Sequence, residues 1–178
     1  MEKLALQGIL PPKDILRVYS GAYLGFYNCV EQAVEELFVG LVTGRVMHAR
    51  KVRPLLTVKS DLAARRIIAA GRSYADWLPF DKNTRPRAKA FFVGGKPFLD
   101  VNNDDRGVLD RYSVIRNAIA HGSRYALARF QEEFVDGKSL PPQQKQPAGY
   151  LRGTHAGAQT RLEFIVTELT AVVRRLCA

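Results

Sequence analysis

The stretch VIRNAIAHGSR, Val114 to Arg124, sets an arginine, an asparagine and a histidine into an otherwise apolar helical pattern. Those residue types suit phosphodiester chemistry. The guanidinium of Arg116 is a planar fork of donors that matches phosphate oxygens. A histidine such as His121 can pass protons to and from a hydroxyl, and Asn117 can orient the ring or bond the substrate. RNA brings its own nucleophile, the 2′-hydroxyl. In-line attack on the adjacent phosphate leaves a 2′,3′-cyclic phosphate end, a route that needs positioning and charge stabilisation more than a metal. On a helix the five-residue step from Arg116 to His121 turns about 140° and rises about 7.5 Å, so the two side chains do not lie side by side. Asn117 and His121, at i and i+4, share a face. Arg116 has to reach round toward a common polar pocket, such as one formed where helices or subunits meet. The competing reading is a plain helix end, with a histidine favoured by the dipole and two polar residues in surface hydrogen bonds.

The elements that must hold these residues read as helices. After Pro11 and Pro12, the residues Ile15, Tyr19, Ala22, Phe26, Val30, Ala33, Leu37 and Leu41 mark one helical face from about 12 to 43, with Gly40 or Gly44 at the exit. Gly21 and Gly25, four apart, read as packing glycines. Ser60 is a good N-cap for a second helix whose inner stripe, Ala63, Ile67, Ala70, Tyr74 and Trp77, runs until Pro79. The segment AFFVGGKPFLDV predicts a small hairpin or extended insertion near 88–101, turned by Gly94 and Gly95. NNDD at 102–105 is a helix start, followed by Val108, Leu109, Tyr112, Ile115 and Ile119 at helical spacing. Gly122 ends or bends that helix, and the pattern continues to about Phe134. The segment from Asp136 to Gly157 reads as a loop by its prolines, glycines and glutamines, and a last helix covers about 157–176 with Leu162, Ile165, Leu169, Val172 and Val173 inward. The expectation is a single all-α domain over residues 1–178, an up-and-down bundle of four to five main helices.

Composition narrows the partners. Lysine and arginine outnumber aspartate and glutamate by 27 to 17, a field that favours polyanions. RNA-backbone candidates are Arg50, Lys51 and Arg53, Arg65 with Arg66, Arg85, Arg87 and Lys89, and Arg124. The aromatics near them, Tyr74, Trp77, Phe91 and Phe92, read as core. Glu31, Glu35 and Glu36 could lend a carboxylate to a cleft, but a solvated helix face is the simpler reading. His48 and His155 read as surface residues, and Cys29 and Cys177 as buried, unpaired thiols of a reducing compartment. The N-terminal stretch lacks the plan of a secretory signal, and the longest uncharged run, Val18 to Val30, is too short for a bilayer. The protein is therefore expected to be cytoplasmic, without a membrane partner. Walker, Rossmann, nucleophile-elbow and zincin motifs are missing from the sequence.

RNAIAH, Arg116 to His121, resembles the R-(polar)-x-x-x-H signature of the HEPN superfamily of helical domains. A following glycine like Gly122 is common among such relatives, and a long first helix, a late motif helix and a closing helix fit their layout. The motif covers only a few residues, and the layout covers most of the chain. The resemblance implies a bundle that pairs as a homodimer, bringing two motifs together. It also implies a metal-independent endoribonuclease without cofactor, of toxin–antitoxin or phage-defence type, with Arg116 and His121 as the catalytic pair and Asn117 in support. The alternative within that superfamily is a non-catalytic scaffold, or an RNA- or nucleotide-binding subunit working with an antitoxin or a nucleotidyltransferase.

Overall fold

Pro12, whose fixed φ suits a first helical turn, opens α1, Pro12–Thr43, in the computed structural model, which describes residues 11–178. The expectation about a secretory signal falls on residues 1–10, outside the described ones. The bounds of α1 match the sequence reading, and Ile15, Tyr19, Val30, Leu37 and Leu41 are buried as expected, but the rest of the stripe differs. Tyr23, Tyr27 and Val34 are buried where Ala22, Phe26 and Ala33 were expected. Tyrosine rings carry more apolar area than alanine, so the helix turns to bury them. Gly21 and Gly25 consequently face outward, and a Cβ added at either meets nothing within 4 Å, so neither is a packing glycine. Gly40 is one: a Cβ there would come within 2.4 Å of Val46 Cγ2, where the chain folds back and the Val46 amide donates to the Gly40 carbonyl.

Ser60 caps α2, Asp61–Ala69, by accepting from the Ala63 amide. The helix stops ten residues short of Pro79, because Ala70 (φ 51°) and Gly71 (φ 83°) turn left-handed. The stop frees Trp77 to pack on Phe38, with centroids 5.0 Å apart. A π-helical turn, Phe80–Thr84, then leads into α3, Arg85–Phe91. The hairpin expected near 88–101 does not form. Val93–Gly95 and Phe98–Asp100 are short 3₁₀ turns, and Phe92 and Phe98 both bury against Phe38, at 4.8 and 5.0 Å. Burial of two rings on one face of the core outweighs pairing two short strands.

The motif helix, α4, is Asn103–His121, and α5, Arg124–Phe130, continues as a π-helical turn to Val135. The segment read as a loop holds a 3₁₀ turn, Pro142–Lys145, a short helix, α6, Pro147–Arg152, and a small antiparallel hairpin of β1, Thr154–Ala156, with β2, Gln159–Thr160. The last helix, α7, is Arg161–Cys177, a turn later at its start than the periodicity indicates. The Thr160 hydroxyl accepts from the Glu163 amide at 3.2 Å, and Glu163 accepts from the Thr160 amide at 2.7 Å, a capping box that fixes the start.

The fold is an all-α helical bundle with seven α-helices among the described residues, three of them long. Its residues group into two compact units. One comprises residues 11–28 with Arg111–Glu168, and the other Cys29–Asp110 with Leu169–Ala178. The first has an aromatic core, Phe134 stacked on Phe130 at 5.6 Å and meeting Tyr150 edge-on at 5.2 Å, beside Ile115, Leu151 and Ile165. The second is centred on Phe38. Cys29 and Cys177 are both exposed rather than buried, Cys29 because it falls on the outward face of α1 and Cys177 because it ends α7. Among the described residues no helix is long and apolar enough to cross a membrane.

Candidate functional site

The motif sits where α4 stops. Asn102 starts the helix by accepting from the Asp105 amide at 2.8 Å, and Leu109, Tyr112, Ile115 and Ala118 bury its inner face. Gly122, at φ 56°, ends it with its amide on the Ala118 carbonyl at 3.2 Å. A left-handed turn of that kind suits glycine, so the chain can leave the helix immediately after His121. Ser123 then restarts it, its hydroxyl accepting from the Ala126 amide at 3.2 Å.

Within that last turn and a half the three polar side chains converge. Arg116 Nη1 donates to Asn117 Oδ1 at 3.1 Å and lies 3.3 Å from His121 Nε2. The length of the arginine closes the angular gap that the helical wheel opens. A guanidinium has no lone pair to accept with, so this contact is a hydrogen bond only when His121 Nε2 is the acceptor. The ring is then neutral, its proton on Nδ1. Arg116 and Asn117 are half-buried and His121 is exposed, which leaves a donor fork and a ring nitrogen beside each other at the surface. The nearby carbonyl end of α4 favours positive charge there.

Two tyrosines support this helix from below: Tyr112, which the sequence reading placed only as an apolar position, and Tyr23, which it did not single out. Tyr23 donates its hydroxyl to the Tyr112 carbonyl at 2.7 Å, and Tyr112, one turn before Arg116, donates its own to Glu168. Burial first, then the neighbouring Tyr27 and Tyr112, push the Tyr23 phenol well up; burial first, then Glu168, push up that of Tyr112. Both stay protonated and act as struts. The signal available in the sequence was the spacing of Tyr19, Tyr23 and Tyr27, four apart along α1.

The basic candidates divide. Arg65 is bound by Glu35 and Glu36, Arg50 lies 3.5 Å from Asp100, and Arg85 lies 3.3 Å from Asp81. Arg87 donates to the Asp76 carbonyl at 2.8 Å and covers the Trp77 ring at 4.7 Å. Glu35 and Glu36 are thus ion-paired, not merely solvated. Lys51, Arg53, Arg66, Lys89 and Arg124 are exposed, with no carboxylate partner among the described residues. Arg124 alone of the nine belongs to the unit that holds the motif. His48 is a clasp rather than a free surface residue: Nδ1 accepts from the Arg50 amide at 3.1 Å, so Nε2 carries the proton and donates to the Leu176 carbonyl at 2.9 Å. His155 is exposed and stacked on Phe164 at 3.7 Å. Trp77 and Phe92 are buried and Phe91 is half-buried, whereas Tyr74 is exposed.

A cavity of about 550 Å³ lies among Pro12, Leu16, Gln143, Arg152, Thr154 and Thr160, and none of the motif residues lines it. Among the described residues no three histidine, cysteine, aspartate or glutamate side chains form a metal-ligating group. The site is therefore defined by side-chain convergence at the end of α4. No family model, curated protein or solved structure matches this chain.

Proposed function

We propose that the chain is an endoribonuclease of HEPN type that cleaves RNA through its 2′-hydroxyl without a metal. The observation that carries the reading is the junction of Arg116, Asn117 and His121 at one exposed helix end, at 3.1 and 3.3 Å. Arg116 turns its fork to the scissile phosphate and stabilises the charge that gathers on its oxygens. His121, whose Nε2 lone pair is released as Arg116 turns to the phosphate, takes the 2′-hydroxyl proton as that oxygen attacks phosphorus. The bond to the 5′-oxygen breaks, and the proton passes to that departing oxygen, so the histidine ends as it began. Asn117 keeps Arg116 in place. The reading includes a homodimer that pairs two such ends, an RNA substrate, an antitoxin or nucleotidyltransferase partner, and a cytoplasmic toxin or phage-defence role.

The test is incubation of purified protein with labelled RNA in EDTA. Cyclic phosphate ends from the wild type, lost in Arg116→Ala and His121→Ala, are expected. Cleavage that needs added metal overturns the mechanism.

A second reading, a non-catalytic subunit that binds RNA or a protein partner, is favoured by the exposed apolar side chains of the other unit, Met47, Leu55, Leu56 and Leu62. Expression separates the two. A toxic nuclease arrests growth until the motif is mutated, and a scaffold is tolerated in both forms.

A further inference from the structure

Tyr125 is 77% exposed, while every other described tyrosine and phenylalanine of its unit is buried or half-buried. The local fold forces the difference. Once Ser123 sets the first turn of α5, Ala126 and Phe130 take its buried face, and Tyr125 falls on the opposite one with Arg124 and Arg129. Arg129 is held by Glu132 at 2.5 Å, but Arg124 meets no carboxylate among the described residues. No hydrogen bond or ring contact engages Tyr125 there either. The ring follows His121 by four residues, which keeps their Cα atoms within about 14 Å of each other. An uncommitted cation and an open aromatic face thus lie three and four residues beyond His121.

We propose that Tyr125 is the base-stacking platform of this site. It holds a nucleobase beside the scissile phosphate of single-stranded RNA, with Arg124 on the neighbouring phosphate. The inference rests on the ribonuclease reading above and adds the substrate form. Every base offers a π-face to an aromatic ring, so the platform tolerates sequence. In a duplex the bases stack on one another and are closed to it, so the platform selects unpaired strands.

The experiment is fluorescence anisotropy with a labelled, unstructured 12-nucleotide RNA and with its duplex, in EDTA, using His121→Ala as the uncleaving parent. Adding Tyr125→Ala is expected to raise the Kd for the single strand by about 5- to 150-fold, the range for losing one stacked base. Adding Tyr125→Trp is expected to hold it within about threefold, and the duplex Kd is expected to change little, because its bases are not offered to a ring. Equal affinity of the Tyr125→Ala form and the parent for the single strand overturns the proposal, as does equal loss on strand and duplex. The wild type is assayed for cleavage of the same strand alongside. An uncut strand that the parent still binds in a Tyr125-dependent way sinks the nuclease reading and leaves the stacking platform standing. A strand cut with the same KM by wild type and Tyr125→Ala does the reverse. A parent that binds neither RNA overturns both.

Discussion

The helix end at Arg116–His121 and the basic region from Arg50 to Lys89 carry similar residue types and use them in opposite ways. At the helix end an arginine, an asparagine and a histidine contact one another, and none of the three has a carboxylate partner among the described residues. Across the basic region, Arg50, Arg65 and Arg85 are paired with carboxylates of the same unit, and Arg87 is held by a carbonyl and an indole. The charge of those four holds structure together, while Lys51, Arg53, Arg66 and Lys89 beside them have no carboxylate partner among the described residues. At the helix end the charge is left available. A net charge of +10 counts both kinds alike, so composition alone overstates the surface open to a polyanion.

The largest test of that contrast is substitution at the helix end. Arg116→Ala and His121→Ala are each expected to cut RNA cleavage by about 10²–10⁴-fold, with the far-UV circular dichroism spectrum unchanged, since both side chains project from the end of α4 rather than its core. Loss of helical signal together with activity would reassign them to folding. Next in size is the contrast among the basic residues. Lys51→Ala and Arg53→Ala are each expected to weaken RNA binding severalfold and to flatten its salt dependence by about one unit of slope. Arg65→Ala should leave both unchanged and instead cost no more than about 1 kcal/mol of stability in urea, because its pairs are partly open to solvent. Salt slopes that fall equally in all three variants would erase the division.

Beneath the site, Tyr23→Phe removes the hydroxyl that holds the Tyr112 carbonyl, and a loss of about 1 kcal/mol by chemical denaturation is expected. The smallest effect belongs to Asp105, whose carboxyl is held below its usual range chiefly by the hydrogen bond from Arg175, against an opposing push from burial. A depressed carboxylate stabilises the fold above its unfolded value near about 4, and that contribution disappears as pH falls through the folded value. Urea midpoints measured from pH 5 down to pH 2 should therefore fall less steeply in Asp105→Asn than in wild type.

Much of the architecture was legible from local rules. The span of α1, the Ser60 cap and the start of α4 at Asn102 follow from proline, serine and asparagine chemistry that needs no tertiary context. The early end of α2 was not legible, because a left-handed Ala70 pays off only once Trp77 has Phe38 to rest on. The hairpin expected at Gly94 and Gly95 failed for the same reason: a shared aromatic core outweighs a favourable turn. Thr160 and Glu163 stood at capping-box spacing and would have placed the start of α7 correctly. At the candidate site, the residue types and the helix end could be read directly. The contact between Arg116 and His121 could not, since the helical wheel places their Cβ atoms apart and only the extended guanidinium bridges them. The pairing of Arg65 with Glu35 and Glu36 also lay beyond sequence, being set by how α2 meets α1 inside one unit.

RNA cleavage at the end of α4, as proposed, is decided by wild type and His121→Ala incubated with a labelled single-stranded RNA in EDTA and resolved by product ends. Cyclic phosphate products from the wild type alone are the predicted result; products from both proteins, or from neither while the wild type is folded and bound to the RNA, would contradict it.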